Sequence, residues 1–183
     1  MNGNGTYPVT DETIILKIAD GDKAALSELY LQTKNAVYSF ALSMLRDLHA
    51  AEDVMQETFL QVWKSAPTYV PRGKSPLPWI LGIAKNLSLA RLREDQRLRS
   101  WIDDNPDPAD PLDQYLACEN KIVTRAVLAK LSQEERQIVV LHVVAGLKHR
   151  EIAALLALPL PTVLSKYRRA LKKMRSLLEG DDA

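Results

Sequence analysis

The chain has one cysteine, Cys118, among 183 residues. No intrachain disulfide can form, which fits a reducing compartment. Its three histidines, His49, His142 and His149, do not form a metal-ligand spacing with that cysteine. Neither a G-x-S-x-G nucleophile motif nor a glycine-rich phosphate loop occurs. These absences argue against catalysis by the chain itself, and no catalytic residue, metal or cofactor is expected. No apolar run approaches the length of a membrane-spanning helix. The start, MNGNGTYPVTDE, lacks the basic and apolar regions of a signal peptide. A cytoplasmic protein without membrane insertion is expected. With only 7 glycines and 46% hydrophobic residues, the composition suits a helical globular protein.

Net charge is only +1, yet the charges are unevenly placed. From Leu131 onward there are nine Lys or Arg against six Asp or Glu, and three of those acids lie in the final five residues. Between Trp101 and Lys130 the balance reverses, with six acids against three bases. An average near neutrality hides a basic segment beside an acidic one.

The basic segment is periodic. Leu160, Val163, Tyr167, Ala170, Leu171, Met174 and Leu178 recur at helical spacing and gather on one face. Thr162, Ser165, Arg169, Lys172, Lys173 and Ser176 gather on the other. Before it stands a short amphipathic segment, Arg150–Leu156, then ALPLP at 157–161. Pro159 lacks an amide donor and pushes Leu158 out of the α region, so the helix stops. Pro161 suits the first turn of the next helix. Upstream, Leu131–Gly146 carries a capping box, Ser132 with Glu135, and a stop residue, Gly146. Helix, helix, turn, helix with a basic last face is the layout of a helix-turn-helix DNA reader. A solvated basic helix is the plainer alternative.

The first half reads as four helices: Asp11–Ala19, Lys23–Leu45, Ala50–Ser65, and Leu77–Arg99 with Ser75 as N-cap. Pro67, Pro71, Gly73, Pro76 and Pro78 make an irregular loop before the fourth. On the third helix Leu48, Ala51, Met55, Phe59 and Val62 form the apolar stripe. Opposite lie Asp53, Gln56 and Glu57 with Leu60 among them. A lone exposed leucine is ordinary, but one ringed by acids and amides also suits an interface. Ile102–Gln114, IDDNPDPADPLDQ, reads as a stiff acidic connector, either a plain spacer or a mimic of nucleic-acid phosphates. A helix over Tyr115–Lys130 follows. The expected architecture is all-α: two small helical domains on an acidic Pro-rich linker, with few routes to a common core.

LSQEERQIVVLHVVAGLKHREIAALLALPLPTVLSKYRRALKKMRSLL resembles the promoter −35-binding domain of bacterial sigma factors. AEDVMQETFLQVW followed by PWILGIAKNLSLARLRE resembles their −10-binding domain. The short length points to the extracytoplasmic-function (ECF) group. The resemblance implies a region 2-like domain at 1–99, a linker at 100–118 and a region 4-like helix-turn-helix domain at 119–183. It implies core RNA polymerase (β′ clamp and β subunit), promoter DNA and an anti-sigma factor as partners. Asp53, Gln56 and Glu57 match the positions that bind the β′ clamp coiled coil, and Leu60 lies among them. Tyr69, Arg72 and Lys74 of the loop, with Asn86 and Arg93 of the following helix, are expected at the −10 element, where an extruded base needs a pocket. Thr162, Ser165, Lys166 and Arg169 are expected at −35 base edges, with Lys172 and Lys173 on phosphates. Three positions depart from the pattern. Ala157 stands where glycine is usual, Pro161 where a small residue is usual, and Leu164 where Lys or Arg is usual. Ala157 puts the geometry of the turn in doubt, because a left-handed residue there would be costly.

Overall fold

The structure, a computed structural model, describes residues 11–99 and 130–179. The expected linker, the expected helix at 115–130 save its last residue, and the N-terminal ten residues lie outside the described residues. Among the described residues seven α-helices run in order: α1 (Thr13–Ala19), α2 (Lys23–Leu45), α3 (Leu48–Ser65), α4 (Leu77–Arg99), α5 (Gln133–Val143), α6 (His149–Leu156) and α7 (Leu160–Glu179). A short 3-10 turn, Ala66–Thr68, follows α3. Among the described residues there is no strand.

Local chemistry sets the helix ends. Asp22 accepts hydrogen bonds from the Ala24 and Ala25 amides at 2.8 and 3.1 Å and starts α2. Asp47 does the same for α3 through the Ala50 amide at 2.7 Å. The Ser75 hydroxyl accepts from the Leu77 amide at 3.3 Å. Ser132 and Glu135 close the capping box of α5, each side chain taking the other's amide. That helix ends at left-handed Gly146, with the Leu147 amide donating to the Leu141 carbonyl at 3.0 Å.

Ala157 adopts the left-handed conformation that glycine usually supplies, with φ 55°. The Leu158 amide donates to the Ala153 carbonyl at 3.0 Å, and Pro159 follows. The turn between α6 and α7 therefore keeps its shape despite the methyl group, at roughly 1–2 kcal/mol of strain.

The two helical domains do share a core, which corrects only the expectation of few routes to a common one. One cluster joins Ile15, Leu29, Phe40, Phe59, Val62 and Ile80 of the first half to Ile138, Leu141, Ile152 and Val163 of the second. Helix α5 packs on α2 and on α7, and α6 packs on α4. The reason lies in α5, where Glu135 through Leu141 are all buried. Ile138 and Leu141 belong to the common cluster, while Val139 packs with Leu131 and Ala170 on the α7 side. A helix that is apolar on more than one side needs more cover than α6 and α7 supply. The Lys85 ammonium adds a polar tie, donating to the Leu155 carbonyl at 2.7 Å.

Candidate polymerase and nucleic-acid interfaces

Helix α3 buries Ala51, Val54, Met55, Thr58, Phe59 and Val62. Its other side presents Asp53, Gln56, Glu57 and Leu60, all exposed, with Leu60 61% accessible. These four residues share one face, as their spacing requires. Asp53 is engaged within the chain: the Arg91 guanidinium of α4 donates to its carboxylate at 2.8 Å. Both side chains are open to solvent, so this pair contributes about 1 kcal/mol or less.

The loop between the 3-10 turn and α4 is organised from inside. Glu12, the residue before α1, is only 8% exposed. One of its carboxylate oxygens accepts from the Tyr69 hydroxyl at 2.7 Å and from the Arg72 amide at 2.7 Å. The other accepts from the Gly73 amide at 2.6 Å. The Arg72 amide, then the Tyr69 hydroxyl, then the amides of Gly73 and Lys74 hold this carboxyl below its ordinary value, against the opposing effect of burial. Burial, then the hydrogen bond to Glu12 and its charge, push the Tyr69 phenol up to about 12. The Tyr69 ring rests on Trp79 with centroids 4.8 Å apart. Of the loop residues expected at the −10 element, Arg72 and Lys74 are exposed, whereas Tyr69 is partly buried and engaged at both ends. Val70 is exposed beside it. On α4, Asn86 and Arg93 are exposed, seven residues apart on one side.

On α7, Ser165, Arg169, Lys172 and Lys173 are exposed, and Thr162 and Lys166 are half-buried. Two of these cations are held by acids of α5. Lys166 pairs with Glu134, and Lys173 donates to Glu135 at 2.7 Å. The two acids differ: the Glu134 side chain is 48% exposed and that of Glu135 only 4%. Burial raises the Glu135 carboxyl, but the hydrogen bonds from Lys173 and the Ser132 amide outweigh it and hold the group below its ordinary value. Arg169 donates from Nε to the Ser165 carbonyl at 3.4 Å, and its side chain remains exposed. Leu171, expected on the apolar face, is exposed. Leu164 is half-buried.

Behind this face His142, His149 and Tyr167 meet ring to ring, with centroids 4.4 to 4.9 Å apart. His142 Nδ1 lies 2.9 Å from the Leu147 carbonyl oxygen. Burial, then the nearby His142, lower the pKa of His149. Among the described residues no group of three or more His, Cys, Asp or Glu could hold a metal ion, and no helix is long and apolar enough to cross a membrane.

Sequence reasoning missed Glu12, Glu134 and Glu135 as partners of these surfaces. Only Glu135 carried a signal, its capping-box spacing, and that spoke of α5 alone.

Comparison with known proteins follows the same division. Residues 29–98 match Sigma-70 region 2, and residues 123–174 match Sigma-70, region 4. ECF RNA polymerase sigma factor SigK of Mycobacterium tuberculosis is 32% identical over 175 residues, covering 92% of this chain and 93% of that one. SigK of Mycobacterium ulcerans is 30% identical over 173 residues, covering 91% and 92%. Two solved structures share the fold. CnrH, in complex with the cytosolic domain of CnrY, has a TM-score of 0.65 and 24% identity, covering 94% of this chain and 99% of that chain. The sigma factor RpoE from Bartonella quintana, in complex with the anti-sigma factor NepR, has a TM-score of 0.66 and 23% identity, covering 85% and 97%. The capped α5, the turn into a basic α7 and the acid-and-leucine face of α3 thus lie within matched regions of one family, and the chain belongs to the ECF sigma factors of RNA polymerase.

Proposed function

We propose a division of labour among the three surfaces. Asp53, Gln56, Glu57 and Leu60 dock on the β′ clamp of core polymerase. The loop with Arg72 and Lys74, together with Asn86 and Arg93, meets the −10 element and helps melt it. Arg169 with Thr162, Ser165 and Lys166 reads the −35 element, and Lys172 neutralises phosphate. The domain limits that go with this reading are 1–99 and 119–183, with 100–118 as the linker. The single observation that carries it is the α3 face: one exposed leucine within a ring of acids and an amide, opposite a fully used core stripe. Charged and amide groups placed so are suited to charge-assisted bonds with a basic partner helix.

The phosphodiester chemistry belongs to the polymerase, so the chain acts as a specificity subunit rather than an enzyme. Its place of work is the cytoplasm, where polymerase and promoter are. Control by an anti-sigma factor is part of the proposal. The sigma factor RpoE of Bartonella quintana was solved in such a complex, and the compact packing of α5 on α2 offers a partner both halves at once.

The deciding experiment is run-off transcription with core polymerase and the full chain. Initiation at one promoter, only when the chain is present, is the expected result. Site-specific duplex binding with no effect on the polymerase would point instead to a free-standing helix-turn-helix regulator. The −10 assignment has its own test. Asn86→Ala should impair initiation on duplex promoters and be partly rescued by a template already melted at −10, because unstacking costs a few kcal/mol that the bubble removes.

A further inference from the structure

Glu12 lies outside the stretch that matches region 2, which begins at residue 29. It nevertheless takes three hydrogen bonds from a single loop 57 to 61 residues away. Two of the donors are the successive amides of Arg72 and Gly73, and Gly73 is left-handed with φ 66°. Such a concave pair of amides is an anion-binding nest, of the kind that elsewhere cradles a phosphate. Here an internal carboxylate fills it. The third donor, the Tyr69 hydroxyl, fixes the far end of a ring whose other contact is Trp79 at the start of α4. Tyr69 is thus braced at both ends, while Val70, Pro71, Arg72 and Lys74 beside it are exposed.

We propose that Glu12 is a positioning residue for promoter opening: by occupying the nest it sets the shape in which the loop receives an unstacked −10 base, with Tyr69 as its internal brace. This rests on the −10 reading of the loop given above. A loop held in its bound shape loses less conformational freedom on binding than one ordered by the DNA itself. Filling the nest from within also keeps the two amides from capturing a DNA phosphate out of register. Glutamine at position 12 would keep the volume and lose the charge. It would also turn an N–H group toward the loop's own N–H donors, so at least one of the two amides would lose its acceptor.

The test uses the full chain with core polymerase on three templates: duplex, melted at −10, and melted with each of the four bases placed at the non-template positions. Circular dichroism and pull-down with core polymerase monitor the fold. Glu12→Gln should keep both of these and lose initiation on duplex by on the order of tenfold, short of the roughly hundredfold that a 1 Å misplacement can cost. It should also flatten the choice among the four bases, which a general loss of stability would not do. Tyr69→Phe removes only the hydroxyl and should give a smaller loss in the same direction. The double variant should be no worse than Glu12→Gln, because both act through one contact. Arg72→Ala separates the two levels of the argument. If Arg72→Ala loses opening and base choice while Glu12→Gln retains both, the positioning role is overturned and the −10 loop stands. If neither variant changes them, the −10 reading of the loop falls and this inference with it. Should Glu12→Gln fail to fold, Tyr69→Phe decides: an altered base choice supports the proposal, and an unaltered one overturns it.

Discussion

Both surfaces assigned to DNA contain internal carboxylates, but the two halves use them differently. In the first half Glu12 binds backbone amides and a phenol, and leaves the loop's cations, Arg72 and Lys74, exposed. In the second half Glu134 and Glu135 bind the cations themselves, Lys166 and Lys173. The first arrangement has no charge to hand over to DNA. The second does, and unequally. Glu134 is half-exposed and can return to water when Lys166 turns to a base edge. Glu135 is buried, and taking Lys173 away would strand it. The sequence places Lys173 among the phosphate contacts; its partner makes it a brace between α5 and α7.

Glu135→Ala should break this contrast most severely, because it removes both the capping box of α5 and the partner of Lys173. The loss should be about 2–4 kcal/mol, combining a lost cap with a lost charge-assisted bond. Urea denaturation measures it, and Glu134→Ala, lying nearer the surface, should cost well under half as much. Next in size is Asp53→Ala combined with Glu57→Ala. Each charge-assisted bond to polymerase is worth about 1.5–3 kcal/mol, so core binding should weaken strongly in a pull-down while the melting temperature barely moves. Unchanged affinity would remove α3 as the docking face.

Arg169→Ala should cost about 1–3 kcal/mol of preference among −35 sequences. Lys172→Ala should instead lower the slope of log affinity against log salt by about one unit, with preference kept. Lys173→Met should leave that slope nearly intact and reduce stability. A full unit of slope lost on Lys173→Met would mean that it reaches phosphate after all.

The smallest effect concerns acid. A group whose pKa is lowered by folding contributes stability above its unfolded value, and that stability fades as pH falls below it. For His149 the fading begins under about pH 6.5, and for Glu12 and Glu135 under about pH 4.5. The ring cluster of the second half should therefore loosen first on acidification. Near-ultraviolet circular dichroism of Tyr167 and its neighbours should register that early step, and His149→Phe should abolish it.

The legible parts of this fold were the local ones. Ser75, Ser132 with Glu135, and Gly146 announce their helix ends because each acts within a few residues of itself, whereas the Asp22 and Asp47 caps went unread. The α3 face was legible because an 18-residue helix repeats its period often enough to separate two sides. The bridge from Arg91 of α4 to Asp53 of α3 spans 38 residues, so no local spacing announces it. Glu12 was not legible, since its donors lie some sixty residues on and no periodicity links a helix start to a distant loop. The common core was only hinted at. The run Ile138–Leu141 is too evenly apolar for a helix with one wet side, and the expectation of few routes to a common core overlooked it. Leu171 shows the opposite error, an apolar residue at the edge of the stripe that no neighbour covers. Ala157 shows tertiary context prevailing over a residue's own preference.

The shared cluster of Leu29, Phe40, Ile138 and Ile152 also fixes a population. A target that required the halves apart would have to break this cluster, and it would see only the fraction of chains in which the cluster is open. Its apparent dissociation constant is the intrinsic one divided by that fraction. One methyl more or less at the seam changes that fraction without touching a residue that contacts polymerase or DNA.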